Sequence, residues 1–144
     1  MTYAPTVRYL EAQALEAGCA SFWFGPQANQ DINYNAPFPQ ALLFLMPAPL
    51  IGPNVSYQVL LQFVGNDQHE NAANLADATA ATQSLAIQDA MDVLSQQFLA
   101  RLRDDEDALF DLPERIDRAP VLRKGSSIGT GFLLSFTLTG RARC

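Results

Sequence analysis

A chain of 144 residues is long enough to bury one two-layer core and short for two, so a single domain over 1–144 is expected. Hydrophobic residues make up 49% and charged residues 17%, against about 25% charged in an average soluble domain, which excludes disorder and leaves little charge to coat a surface. A formal net charge of -6 opposes the wrapping of a polyanion, so sequence-specific nucleic-acid binding is not expected.

In chain order, the first element is an amphipathic helix. Val7, Leu10, Ala14 and Ala17 recur at helical spacing, and Gly18 is the residue type that ends a helix in a left-handed conformation. Arg8, Glu11 and Glu16 interrupt the first twenty residues, which therefore lack the apolar centre of a signal peptide; synthesis in a cytoplasm is expected. Ser21-Phe22-Trp23-Phe24 reads as a short strand stopped by Gly25-Pro26, and Gln27 to Asn35 as a loop.

Ala41 to Met46 is apolar on both faces of an extended chain and is closed by Pro47 and Pro49, as expected of a central strand or of one covered on its second face by a neighbour. It is also far too short to span a membrane. After the turn at Gly52-Pro53, the side chains of Tyr57, Val59, Leu61 and Phe63 point one way and those of Gln58, Leu60, Gln62 and Val64 the other, which predicts an antiparallel partner.

Ile87, Met91, Leu94, Phe98 and Leu102 form one stripe along a long helix, with Thr82 or Ser84 available to cap a late start. The acids Asp104 to Asp107 should stop that helix, because negative charge is unfavourable at its C-terminus. Leu109, Phe110 and Leu112 are expected to pin the connector that follows. Pro120 to Arg123, a glycine-rich turn from Gly125 to Gly131, and Phe132 to Thr139 read as a closing hairpin. The order predicts an α+β fold: a mostly antiparallel sheet of four to five strands against one long helix and a short N-terminal helix.

Chemistry is sparse. The single histidine, His69, sits in a polar loop without a nucleophile motif, so no catalytic triad is expected. Asp104 to Asp107 lack the glycine and terminal Glu of a calcium loop. Gly125 to Gly131 precedes a strand rather than a helix and has no following Gly-Lys, unlike a phosphate loop. Cys19 and Cys144 are too few for a disulfide framework and lack metal-ligand spacing. Phe22, Trp23 and Phe24 fit core or subunit contact better than a ligand site. No enzyme activity, metal or cofactor is expected.

Phe22-Trp23-Phe24-Gly25-Pro26, Phe38-Pro39-Gln40-Ala41-Leu42-Leu43-Phe44-Leu45, Tyr57-Gln58-Val59-Leu60-Leu61-Gln62-Phe63, the helix through Phe98 and the closing Ser135-Phe136-Thr137-Leu138-Thr139 together resemble the tail-terminator family of long-tailed bacteriophages. The resemblance spans nearly the whole chain. It implies an α+β virion protein without catalytic residues, forming a homo-hexameric ring that caps the tail tube and meets neck or connector proteins, with no membrane partner. Head-to-tail rings need two different complementary patches on each subunit. From Arg115 onward six basic residues stand beside the single acid Asp117, so Asp104, Asp105 and Asp107 are expected to face Arg141 and Arg143 across a subunit contact. Arg123, Lys124, Gly125, Ser126 and Ser127 are expected to form a docking loop. The rival expectations are another neck or head-tail connector protein, and a small-ligand-binding or enzymatic α+β domain.

Overall fold

Two periodicities, about 3.6 in the helices and 2 in the strands, place one apolar stripe on each element, and the fold joins these stripes. The computed structural model describes residues 1–25, 37–66, 78–108, 110–121 and 129–141. Helix α1 spans Tyr3–Ala17 and buries Val7, Leu10 and Ala14. It ends at Gly18, with φ of 132°, a region that costs glycine little. There the Gly18 N–H donates to the Leu15 carbonyl and the Cys19 N–H to the Ala14 carbonyl, satisfying two carbonyls of the last turn.

Strand β1 (Ser21–Phe24) runs parallel to β2 (Gln40–Pro47), which pairs antiparallel with β3 (Asn54–Asn66). The β2–β3 connection closes at Gly52-Pro53, flanked by the reciprocal Ile51–Asn54 backbone bonds; Gly52 has φ of 59°, which two-residue hairpin turns require at their first position. Helix α2 (Ala78–Asp104) crosses to β4 (Phe110–Asp111), β5 (Asp117–Val121) and β6 (Gly129–Arg141). The sheet order is β1-β2-β3-β6, with β4 and β5 both on the outer edge of β6.

The register puts Leu43, Leu61 and Leu134 in one row and Leu45, Val59 and Phe136 in the next, all on the face that α1 and α2 cover. Phe98 from α2 lies tilted on Phe63, with ring centroids 5.3 Å apart, and both are fully buried. Each such side chain contributes roughly 1.5–3 kcal/mol on leaving water. Leu42 and Val64 are also buried but lie on the opposite face, outside this cluster.

The α+β class, the mostly antiparallel sheet and the antiparallel β2–β3 pair match expectation, while the pairing of β6 with β3 is new. Among the described residues there are six strands rather than four to five, and two substantial helices of 15 and 27 residues. β4 is only two residues long, too short to show any alternation. β5 starts at Asp117, three residues before the expected Pro120; its Asp-Arg-Ala-Pro sequence is exposed on a sheet edge, where proline is tolerated. Arg118 holds this edge down: its guanidinium pairs with Asp92 of α2 and stands 5.4 Å over the Phe132 ring. Phe110 and Leu112 pack on the core as expected, and Leu109 lies outside the described residues.

Candidate assembly surface

Strands β1, β2, β3 and β6 carry one charged residue between them, Arg141 at the end of β6. The side chains that β1, β2 and β3 leave in water are therefore apolar or neutral. On the β1–β2 side, Trp23 is 44% exposed and Phe24 51%; at the β2–β3 tip, Leu50 is 71% exposed and Ile51 75%. Scattered exposed apolar residues are ordinary, but two adjacent large aliphatics above 70% are not what a solvated hairpin turn needs.

The edge of β2 beyond β1 is closed by local bonds. The Gly25 N–H donates to the Leu43 carbonyl (3.0 Å), and the Tyr3 hydroxyl of α1 donates to the Leu45 carbonyl (2.9 Å). Tyr3 also meets Phe24 and Tyr57 edge-on, with centroids 6.1 and 5.7 Å away. These contacts blunt an edge that would otherwise template strand pairing, and they fix Phe24 where it stands.

The acidic segment is partly engaged inside the subunit. Asp105 accepts a short hydrogen bond from the Tyr9 hydroxyl, and its other oxygen accepts the Asp107 N–H at 3.1 Å. Burial, and then the Asp105 carboxylate, push the Tyr9 phenol well above its usual pKa. Asp104 and Asp105 border a polar depression with Gln13 and Arg101, and Arg101 reaches Gln13 at 3.1 Å and pairs with Glu16. Arg141 is paired through its backbone with Asn54, one residue beyond Gly140, the partner of Phe110. The β6 end and the acidic connector thus share one end of the molecule. Arg143, Arg123, Lys124, Gly125, Ser126 and Ser127 lie outside the described residues, as does His69.

Because Tyr9 ties α1 to the segment after α2, Tyr9→Phe should remove a charge-assisted bond and lower stability by about 1.5 kcal/mol. Urea unfolding checks this; an unchanged midpoint would mean that the bond contributes nothing in water.

One apolar cavity of about 220 Å³ opens beside the same contact, lined by Met1, Pro5, Tyr9, Asp107, Ala108 and Phe110. Tyr9 and Phe110 form its inner wall as an edge-on pair with centroids 5.1 Å apart. Neither the cavity nor the Leu50–Ile51 tip was a sequence candidate. The only signal for the tip was a pair of large aliphatics among Pro47, Pro49 and Pro53.

The buried Cys19 thiol is raised to about 12 by desolvation. Its neutral form is therefore favoured in the fold, so its stabilising effect is complete below the unfolded value near pH 9 and is lost as pH rises toward 12. The melting temperature should fall across that interval, and less steeply in Cys19→Ala; identical alkaline slopes would contradict the assignment.

Among the described residues no three His, Cys, Asp or Glu side chains are grouped to hold a metal ion, and no helix is long and apolar enough to cross a membrane. Among the described residues, ionisable groups gather at the polar depression, where Arg101 pairs with Glu16 and Asp105 accepts from Tyr9. The chain matches no protein-family model and no curated protein.

Proposed function

We propose that the chain is a virion structural protein, a tail-terminator-like subunit that assembles into a homo-oligomeric ring, read as a hexamer, capping the tail tube and joining it to the neck. It would be made in the host cytoplasm and act in the particle through its surfaces, without catalysis. One observation carries this reading: large apolar side chains stand in water at two places on the sheet, Trp23 and Phe24 on the edge strand β1 and Leu50 and Ile51 at the β2–β3 tip, while β1, β2 and β3 carry no charged residue. A chain of net charge -6 repels its own copies, so self-contact favours surfaces without like charges.

Another neck or head-tail connector position uses the same chemistry and is the nearest alternative. A small-ligand or enzymatic domain is the other reading: the cavity beside Tyr9, about 220 Å³, is below the roughly 300–1,000 Å³ of typical small-molecule sites, and the depression at Gln13, Arg101, Asp104 and Asp105, about 390 Å³, is within that range but open and polar where such sites are enclosed and mostly apolar. Negative-stain imaging of the purified protein tests the proposal. Closed rings with a central hole are expected, and a field of isolated small particles would overturn it.

A further inference from the structure

We infer that β5 is a guard strand latched by Arg118, and that its release opens the outer edge of β6 to pairing with the same strand of a second copy. The inference stands apart from the ring reading, because it concerns the sheet edge opposite β1 and holds for a single subunit.

The guard is held weakly except at one side chain. None of Asp117 to Val121 is buried, and none belongs to the apolar cluster. Pro120 has no N–H to give to β6, and the Arg115–Asp117 pair is exposed and stays within the connector. Arg118 differs. Its register opposite Leu134 puts it on the face that the helices cover, where it pairs with Asp92 of α2 and stands 5.4 Å over the Phe132 ring. Among the described residues it makes the one ion pair from β5 to another element. A segment with no buried side chain and a single polar anchor opens locally at far lower cost than the whole fold.

What the guard covers is a strand suited to pairing. β6 is 13 residues long and is bonded to β3 along its inner edge. Gly129 to Gly140 contain neither charge nor proline, and Phe132-Leu133-Leu134-Ser135-Phe136-Thr137-Leu138 has the apolar, charge-free composition of strands that add to one another. The cover is also incomplete. β4 pairs with residues 139 and 140 and β5 with 131–135, so Phe136, Thr137 and Leu138 have a partner in neither. The guard itself presents Asp117, Arg118 and Pro120, residue types that discourage strand addition.

Lifting β5 frees residues 131–135 of β6. Two copies of one segment pair antiparallel about a two-fold axis, which sets Leu133 opposite its own counterpart and brings no like charges together. A second copy therefore meets a matched edge.

Hydrogen exchange resolved by residue tests the latch in Arg118→Ala. The β6 amides bonded to β5 should exchange about tenfold faster, since an ion pair and a cation–π contact are lost together, while the β2–β3 amides keep their rates. Arg118→Lys, which keeps the charge but not the planar stacking group, should fall between the two. Sedimentation velocity tests the pairing: Arg118→Ala should build larger species than wild type as concentration rises, and the amides of residues 131–135 should regain protection in them. Adding Leu133→Lys, which sets like charges opposite each other, should abolish those species. Exchange in Arg118→Ala equal to wild type overturns the inference. Faster exchange without larger species, or larger species in which 131–135 stay unprotected, leaves the latch standing and overturns the pairing.

Discussion

Phe98→Ala should destabilise the protein by about 4 kcal/mol, within the range of roughly 3–5 found for deleting a buried aromatic side chain. Phe98 has no exposed surface, rests on Phe63, and sits midway along the α2 stripe between Leu94 and Leu102, so the void cannot be filled by a surface group swinging inward. Against a total stability of roughly 5–15 kcal/mol, a loss of this size is a large fraction. Guanidinium unfolding should show a lower midpoint with little change in slope. The lesion lies between helix and sheet, so the proposed self-association should survive at low temperature in the fraction that remains folded.

Gly131→Ala should be at least as damaging, for a different reason. A Cβ built on Gly131 would lie 1.7 Å from the Phe63 carbonyl oxygen, a backbone atom of the neighbouring strand that no rotamer change can move. Relief requires β3 and β6 to part at the Val64–Gly131 and Phe63–Phe132 pairs, in the longest ladder of the sheet. We expect a loss of about 3 kcal/mol or more, and poor folding during expression. Gly65→Ala is the control. Its Cβ would meet the Ile87 Cγ2 at 2.6 Å; that methyl sits on a stiff β-branched side chain of α2, so relief takes a small shift of the helix rather than of the sheet, and a cost of about 2 kcal/mol is expected. Equal melting temperatures for the two variants would show that the sheet at Gly131 is looser than the register implies.

The difference between these two glycines marks what was legible in the sequence. Alternation of two in Tyr57 to Phe63 and in Phe132 to Leu138, and the α2 stripe, are properties of one segment at a time, and each reports which side meets the core. The end of α1 was equally readable, because Gly18 takes a conformation other residues avoid. Contacts between segments left no such trace. Nothing near Gly131 announces that the Phe63 carbonyl will press against it, and nothing in Asp117-Arg118-Ala119-Pro120 announces a strand held by Asp92 from another element. The acidic run is a similar case. Its charge was visible, but Tyr9, 96 residues away in sequence, is what engages Asp105. The tip and cavity were hidden for the same reason: exposure is a property of the folded chain, and Leu50-Ile51 looks in sequence like any pair of core residues.

The measurement closest to the central claim is native mass spectrometry of the purified chain over a range of concentrations. A protein that works through its outer surfaces should give one discrete closed multiple of 15.8 kDa, persisting on dilution and free of any bound small molecule. A species of 15.8 kDa at every concentration, or one carrying a stoichiometric metabolite, would contradict it.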